Sequence, residues 1–239
     1  MENMQKNILV TGASRGIGAA ILKALDQPGI EATGHNTTGQ GGLLKADFSQ
    51  TGAAGNLWGK ALTKLGGRID ILINNAGIFE PNSIARDDAD WLKSWNKTMQ
   101  INLTTSAELC RLAVLHFKER SEEGRIVNIA SRAAYRGDSP DHWHYAASKG
   151  AMVAMTKTIA RAYAKDEILA FAICPGFTMT DMAEDYLESR GGDKLLADIP
   201  LGRVAQPEEI ASMAKYCAID APASMTGAVL DANGASFVR

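Results

Sequence analysis

The sequence predicts an α/β fold, a doubly wound parallel sheet of about seven strands with helices on both faces. Three observations lead there. Short β-branched runs alternate with longer segments of helical spacing along the whole 239-residue chain. The runs are apolar, as strands covered on both sides must be. No linker, repeat or low-complexity tract divides the chain, so residues 1–239 read as one domain.

The elements follow in order. Residues 7–11 form the first strand, and Gly16–Leu25, with Ile17, Ile21, Leu22 and Leu25 at helical spacing, the first helix. Weaker strand signals occur at 32–35 and 43–46, and a stronger one at 69–74. Residues 107–117 carry Leu109, Leu112, Ala113 and Leu115 as a helix, before a strand at 125–130. Residues 149–164 carry Met152, Val153, Met155 and Ile159, before a strand at 168–174. Pro207, Glu208 and Glu209 open another helix: proline lacks an N–H that the first turn leaves unused, and acids suit the positive helix end. Residues 228–231 close the sheet. The least regular stretch is 179–201, with Gly191-Gly192 and many charges. We expect a mobile, partly helical substrate lid there; a plain pair of surface helices is the alternative.

Composition excludes several classes. Lys+Arg number 25 against Asp+Glu 27, a net charge of −2. That balance argues against a nucleic-acid partner, which would select a basic chain. Cys110, Cys174 and Cys217 are too few and scattered for a disulfide framework or a metal site. The longest apolar run falls far short of the roughly 18 residues of a membrane span, and the N-terminus lacks a secretory core. A cytoplasmic protein with neither metal nor membrane partner is expected.

The first strand runs into Thr11-Gly12-Ala13-Ser14-Arg15-Gly16-Ile17-Gly18 and then a helix. Gly12 permits a sharp turn, and Gly16 and Gly18 remove side chains where a pyrophosphate and the sheet must approach. The helix start offers free N–H groups and a positive dipole to an anion. This is a Rossmann-type dinucleotide cradle with G-x-x-x-G-x-G spacing. An NAD site wants a carboxylate at the end of the second strand. Here stand Thr33-Gly34-His35-Asn36-Thr37-Thr38, with Arg15 nearby. A guanidinium with amide and hydroxyl donors suits a 2′-phosphate, so NADP(H) is favoured, with NAD(H) the alternative. His35 reads as a surface residue.

Tyr145 and Lys149 lie four apart at a helix start and project from one face. Ser131 follows the strand 125–130, at the end of the sheet where ligands bind. Hydride transfer to a ketone leaves a developing alkoxide that needs a proton. A phenol ionises near pH 10, and an ammonium at about 4 Å in an effective dielectric of about 20 favours phenolate by up to roughly 4 kcal/mol. Ser131 would hold the substrate oxygen. His142 and His144, with no third ligand near, read as loop residues at the cleft mouth. Trp143 between them packs on a substrate or shields the loop.

Taken with Asn74-Asn75-Ala76-Gly77, Asn102 and Pro175-Gly176 in this order, these motifs identify the chain as resembling the short-chain dehydrogenases/reductases over its whole length. The resemblance implies Tyr145 as general acid/base, Ser131 on the substrate oxygen, Lys149 on the nicotinamide ribose and Asn102 holding a proton-relay water. It further implies Asp47 and Phe48 beside the adenine, Asn74, Ala76, Gly77, Pro175 and Gly176 along the cofactor, and Thr178 toward the carboxamide. Within the family the pattern is nearest to 3-oxoacyl-acyl-carrier-protein reductases, through Leu201-Gly202-Arg203 and Gln206-Pro207-Glu208-Glu209. Three departures stand against it. Glu122-Glu123 and Asp166-Glu167 occupy places where carrier-docking relatives have arginines, and like charges oppose an acidic carrier. Phe171 stands where the family usually has asparagine. Asn233-Gly234-Ala235 lacks the usual paired glycines.

The expected activity is interconversion of a ketone and a secondary alcohol by hydride transfer, on a small-molecule or acyl substrate. An NAD(H)-dependent dehydrogenase of a small alcohol or sugar is the alternative enzyme, and an inactive dinucleotide sensor the alternative of another class. A homotetramer joined through the helices at 107–120 and 149–165 is expected from the same resemblance.

Overall fold

The computed structural model describes residues 5–179 and 192–239. Seven parallel strands lie in the order β3-β2-β1-β4-β5-β6-β7. They are β1 (Lys6–Val10), β2 (Ile30–Asn36), β3 (Leu44–Lys45), β4 (Ile71–Asn74), β5 (Gly124–Ile129), β6 (Ile168–Pro175) and β7 (Val229–Ala232). The order reverses between β1 and β4, which pair Ile8 with Ile71 and Val10 with Ile73. Such a reversal opens a crevice at the strands' carboxyl ends.

Period-two alternation sorts the strand residues between two cores. Leu9, Leu72, Ile126 and Ala170 face α2 (Ala53–Lys64), α4 (Thr105–Arg120) and the end of α6 (Trp143–Tyr163). Ile8, Val10, Ile71, Ile73, Val127, Leu169, Phe171 and Ile173 face α1 (Gly16–Leu25) and α8 (Pro207–Lys215). Phe171, one of the three departures from the family pattern, is fully buried in this second core.

Sequence and structure agree on α1 to the residue, and strand ends move by a residue or two. The Tyr145 helix starts earlier than its apolar spacing shows, at Trp143, and so places both Tyr145 and Lys149 in its first turns. A helix α3 (Asp88–Met99) continues through a π-helical turn, Gln100–Thr104, into α4. A four-residue α5 (Ala133–Arg136) follows Ser131. The proposed lid falls largely on residues 180–191, outside the described residues; beyond them α7 (Gly192–Ala197) leads to Ile199, which packs with Val204, Phe177 and Met179.

Helix starts differ in how their free N–H groups are met. Asp87 caps α3 by accepting from the Asp90 N–H at 3.0 Å. On α8 the Glu209 carboxylate accepts from the Gln206 N–H at 2.7 Å, with Pro207 in the first turn. At α1 no side chain caps the start and no acid stands in the first turn.

Candidate active site

A cavity of about 380 Å³ opens at the β1/β4 reversal. Gly12, Ser14, Arg15, Gly16, Ile17 and Gly18 line one side. The turn is dense: a Cβ on Gly18 would stand 2.0 Å from the Gly12 carbonyl oxygen, and Gly12 itself adopts φ +64° against Ala76. Thr11 and Asn75 lock it to the end of β4. The Thr11 hydroxyl accepts from the Asn75 and Ala76 N–H groups at 3.0 Å, and the Asn75 amide donates to the Thr11 and Gly12 carbonyls. The uncapped α1 start thus opens onto a rigid hollow, which fits a pyrophosphate.

The far side of the cavity carries His35, Asn36, Thr37, Asp47 and Phe48, and its inner end Ala76, Gly77, Ile78 and Ile101. No carboxylate stands at the tip of β2; Asp47 lies beyond β3, its carboxyl held below the usual range by the Ser49 hydroxyl and N–H. His35, read from sequence as a surface residue, is 3% exposed. It is buried because the glycine turn folds over it, with the Ala13 N–H on its carbonyl and the Gly12 N–H on its ring.

Asn74 does not reach this cavity. It is buried in the sheet, where its amide donates to Asn128 Oδ1 at 2.9 Å and meets Cys110 Sγ at 3.3 Å. In a pleated strand neighbours face opposite sides, and Asn75 takes the cleft-facing place. Pro175, Gly176 and Thr178 lie at the carboxyl end of β6, apart from this cavity's lining. Gly176 packs on Asn233, and Thr178 pairs with Ala205.

Ser131, Tyr145, Lys149 and Asn102 meet at the next strand end. The Ser131 hydroxyl accepts from the Ala133 N–H at 3.1 Å and stands where it favours the ionised form of the Tyr145 phenol. Lys149 is 4% exposed; its ammonium donates to the Ile129 carbonyl at 2.8 Å and lies 5.8 Å from the Tyr145 ring centre. Asn102, in the π-helical turn, clamps Ile78. Its Oδ1 accepts from the Ile78 N–H at 2.8 Å and its amide donates to the Ile78 carbonyl at 2.9 Å. Gly77 is confined between the same groups: a Cβ there would meet Asn102 Oδ1 at 3.3 Å and Lys149 Nζ at 3.6 Å.

Burial outweighs the expected effect of Lys149 on the phenol. Desolvation pushes Tyr145 up to about 12, against the Ser131 hydroxyl, which favours the phenolate. Desolvation also pushes Lys149 down to about 8. The ammonium donates to a carbonyl instead of to the phenol, so each group is driven toward its neutral form.

An aromatic wall completes the cleft, and Phe79, its centre, had no motif to mark it. Its ring stacks on His142 at 3.8 Å and meets Tyr145 edge-on at 4.8 Å. His142 is held by a 2.6 Å bond between Nδ1 and the Ser139 hydroxyl. His144 is not at the cleft mouth: it is 1% exposed, neither ring nitrogen has a hydrogen-bond partner among the described residues, and it lies along Trp95 of α3. Trp143 is 56% exposed. Arg132, beside Ser131, is also buried, its guanidinium 5.5 Å from the Phe177 ring centre.

A doubly wound sheet, a glycine cradle and a Ser–Tyr–Lys group at adjoining strand ends define a dinucleotide-dependent oxidoreductase. Residues 12–234 match the family model described as enoyl-(acyl carrier protein) reductase. The 3-oxoacyl-(acyl-carrier-protein) reductase FabG of Vibrio cholerae serotype O1 is 34% identical, covering 98% of both chains. The acetoacetyl-CoA reductase of Shinella zoogloeoides is 33% identical over 98% of this chain and 99% of its own. The solved 3-ketoacyl-(acyl-carrier-protein) reductase of Brucella melitensis, complexed with NADH, superposes with a TM-score of 0.86 at 26% identity, covering 99% of this chain and 100% of its own. The chain belongs to the short-chain dehydrogenase/reductase family. It is an oxidoreductase acting on CH–OH and C=O groups with a nicotinamide dinucleotide.

Proposed function

We propose that the chain reduces the ketone of a 3-oxoacyl-type substrate with NADPH, through Ser131, Tyr145, Lys149 and Asn102. The observation that carries this reading is the convergence of the four residues beside the glycine-lined cavity. Ser14, Arg15, Gly16 and Ile17 would hold the pyrophosphate, Arg15, Asn36 and Thr37 a 2′-phosphate, Asp47 and Phe48 the adenine, and Lys149 the nicotinamide ribose. The bound dinucleotide supplies the hydride. Ser131 and Tyr145 orient the ketone oxygen, and Tyr145, protonated at neutral pH because burial holds its phenol near 12, donates the proton. Asn102 fixes Ile78 and with it the wall opposite Lys149.

NAD(H) is a second reading, favoured by the NADH-complexed relative. Separate NADPH and NADH titrations decide: NADPH should bind at least about tenfold tighter, a difference of about 1.4 kcal/mol. Tighter NADH binding would reverse the assignment.

On the carrier question, Glu122 pairs with Arg68 and Arg120, Glu123 with Arg125 and Asp166 with Lys118. Each of these bases is thus already engaged, which supports a free or CoA-borne acyl chain over a carrier-borne one. Comparing acetoacetyl-CoA with its carrier-bound counterpart tests this; a strong preference for the carrier form would overturn it. We also infer one domain, a homotetramer joined through α4 and α6, and a cytoplasmic setting. Leu115, half exposed on α4, supports the interface, and three free cysteines support a reducing compartment. Sedimentation of Leu115→Glu should show smaller species.

A further inference from the structure

We propose that His35 is a positioning residue for the dinucleotide: as a neutral imidazole protonated only on Nε2, it ties the glycine turn to the adenine wall, and cofactor affinity follows its protonation. The ring makes three contacts. Nδ1 accepts the Gly12 N–H at 3.2 Å. Nε2 meets the Ala46 carbonyl oxygen, an acceptor only, at 2.9 Å. Its face stacks on Phe48 at 4.2 Å and 17°. Since Gly12 can only donate and Ala46 can only accept, the two bonds together fix one tautomer.

The arrangement joins two parts of the cleft that are distant in sequence. Gly12 belongs to the pyrophosphate turn; Ala46 and Phe48 belong to the chain that leaves β3 and forms the adenine side. His35 also grips the turn through its own carbonyl, which accepts the Ala13 N–H at 2.8 Å. A second proton would place an N–H on Nδ1 against the Gly12 N–H, donor against donor. The turn would then have to move, and the cavity beside it would lose its shape. The charged groups on the elements beside the ring are Arg15 of the turn and Asp47, which line the same cavity, and Lys45 of β3, paired with Asn36. Burial disfavours the protonated ring, while the bond to Ala46 acts the other way. The ring's pKa is lowered below the ordinary histidine value of 6.5, so the neutral form prevails at neutral pH and is lost on acidification.

This rests on a dinucleotide occupying the cleft, and goes beyond it by assigning a residue that sets its affinity. The test is fluorescence titration of NADPH and NADH between about pH 5 and 8 on the wild type, His35→Asn and His35→Phe. Asparagine offers an oxygen to Gly12 and does not titrate; phenylalanine keeps the ring stack and loses both hydrogen bonds. The dissociation constant of the wild type should rise about tenfold more on acidification than that of His35→Asn, the comparison removing any titration of the cofactor's own phosphate. At neutral pH, His35→Phe should bind about tenfold weaker while kcat at saturating cofactor stays within about twofold. Nitrogen-15 spectra should show an imidazole with an unprotonated Nδ1 and a protonated Nε2 that is absent in His35→Asn.

Identical pH profiles for wild type and His35→Asn would overturn the proposal, as would undiminished binding by His35→Phe. If His35→Phe fails to fold, the asparagine comparison still decides. Failure of the wild type to bind either dinucleotide at neutral pH would instead overturn the cofactor reading on which this one rests.

Discussion

The two ends of the sheet treat buried charge in opposite ways. At the amino end Asp70, 1% exposed, accepts the Asn7 N–H at 2.9 Å, Arg68 at 2.8 Å and Arg120 at 2.7 Å. Burial pushes its carboxyl up, but these partners win and hold it low. At the carboxyl end the Lys149 ammonium donates to a neutral carbonyl and the Tyr145 phenol faces the Ser131 hydroxyl, and burial drives each toward its uncharged form. One end spends its ionic groups on holding chain segments together. The other keeps a proton donor and a base under tension, where proton transfer needs them.

Substitutions at the two ends should therefore separate. The largest effect is expected for Tyr145→Phe: turnover on a ketone panel should fall about 10³-fold, with thermal midpoint and nucleotide affinity unchanged. Asp70→Asn should do the reverse. It leaves Arg68 and Arg120 with Glu122 as their remaining carboxylate and should cost about 2 kcal/mol of stability in denaturant titration, with activity per folded molecule retained. A collapse of activity in that variant would show the two ends to be coupled.

Two pH dependences sharpen the contrast. Asp70 has a lowered folded pKa, so its contribution is present above the unfolded value of 3.8 and is lost as pH falls through the folded one. The wild type should thus lose more stability than Asp70→Asn on acidification below about pH 4. Lys149 titrates on the other side. Its charge is lost as pH rises through about 8, and the reductive kcat/KM should decline over that range. The smallest effect is expected away from both ends. Lys97 and Glu80, each nearly half exposed, form a surface pair whose removal by Glu80→Gln should change stability by less than about 1 kcal/mol.

Much of this was legible in the sequence, for reasons that differ by element. Strands buried on both faces announce themselves by composition, and α1 by its glycine turn. Ser131, Tyr145 and Lys149 were legible because they sit at fixed places relative to a strand end and a helix start. Side-chain direction near strand ends was not: it exchanged Asn74 for Asn75 and hid His35 beneath the glycine turn. The pKa of Tyr145 was read from a neighbouring charge, whereas its value is set by how densely the cleft packs around it. Phe79 had no motif, because its role comes from stacking between loops far apart in the chain.

The bare start of α1 has one more consequence, in time instead of energy. The Asp90 amide of α3 is held by a side chain and the Glu209 amide of α8 by the Gln206 carbonyl, so both exchange their hydrogens only when those contacts open. The Ile17 and Gly18 amides have no such side-chain guard. Their hydrogen exchange should slow in proportion to the fraction of molecules carrying an anion in the cleft, while Asp90 and Glu209 keep their own clocks. The fold thus contains both a gauge of cofactor occupancy and the reference against which to read it.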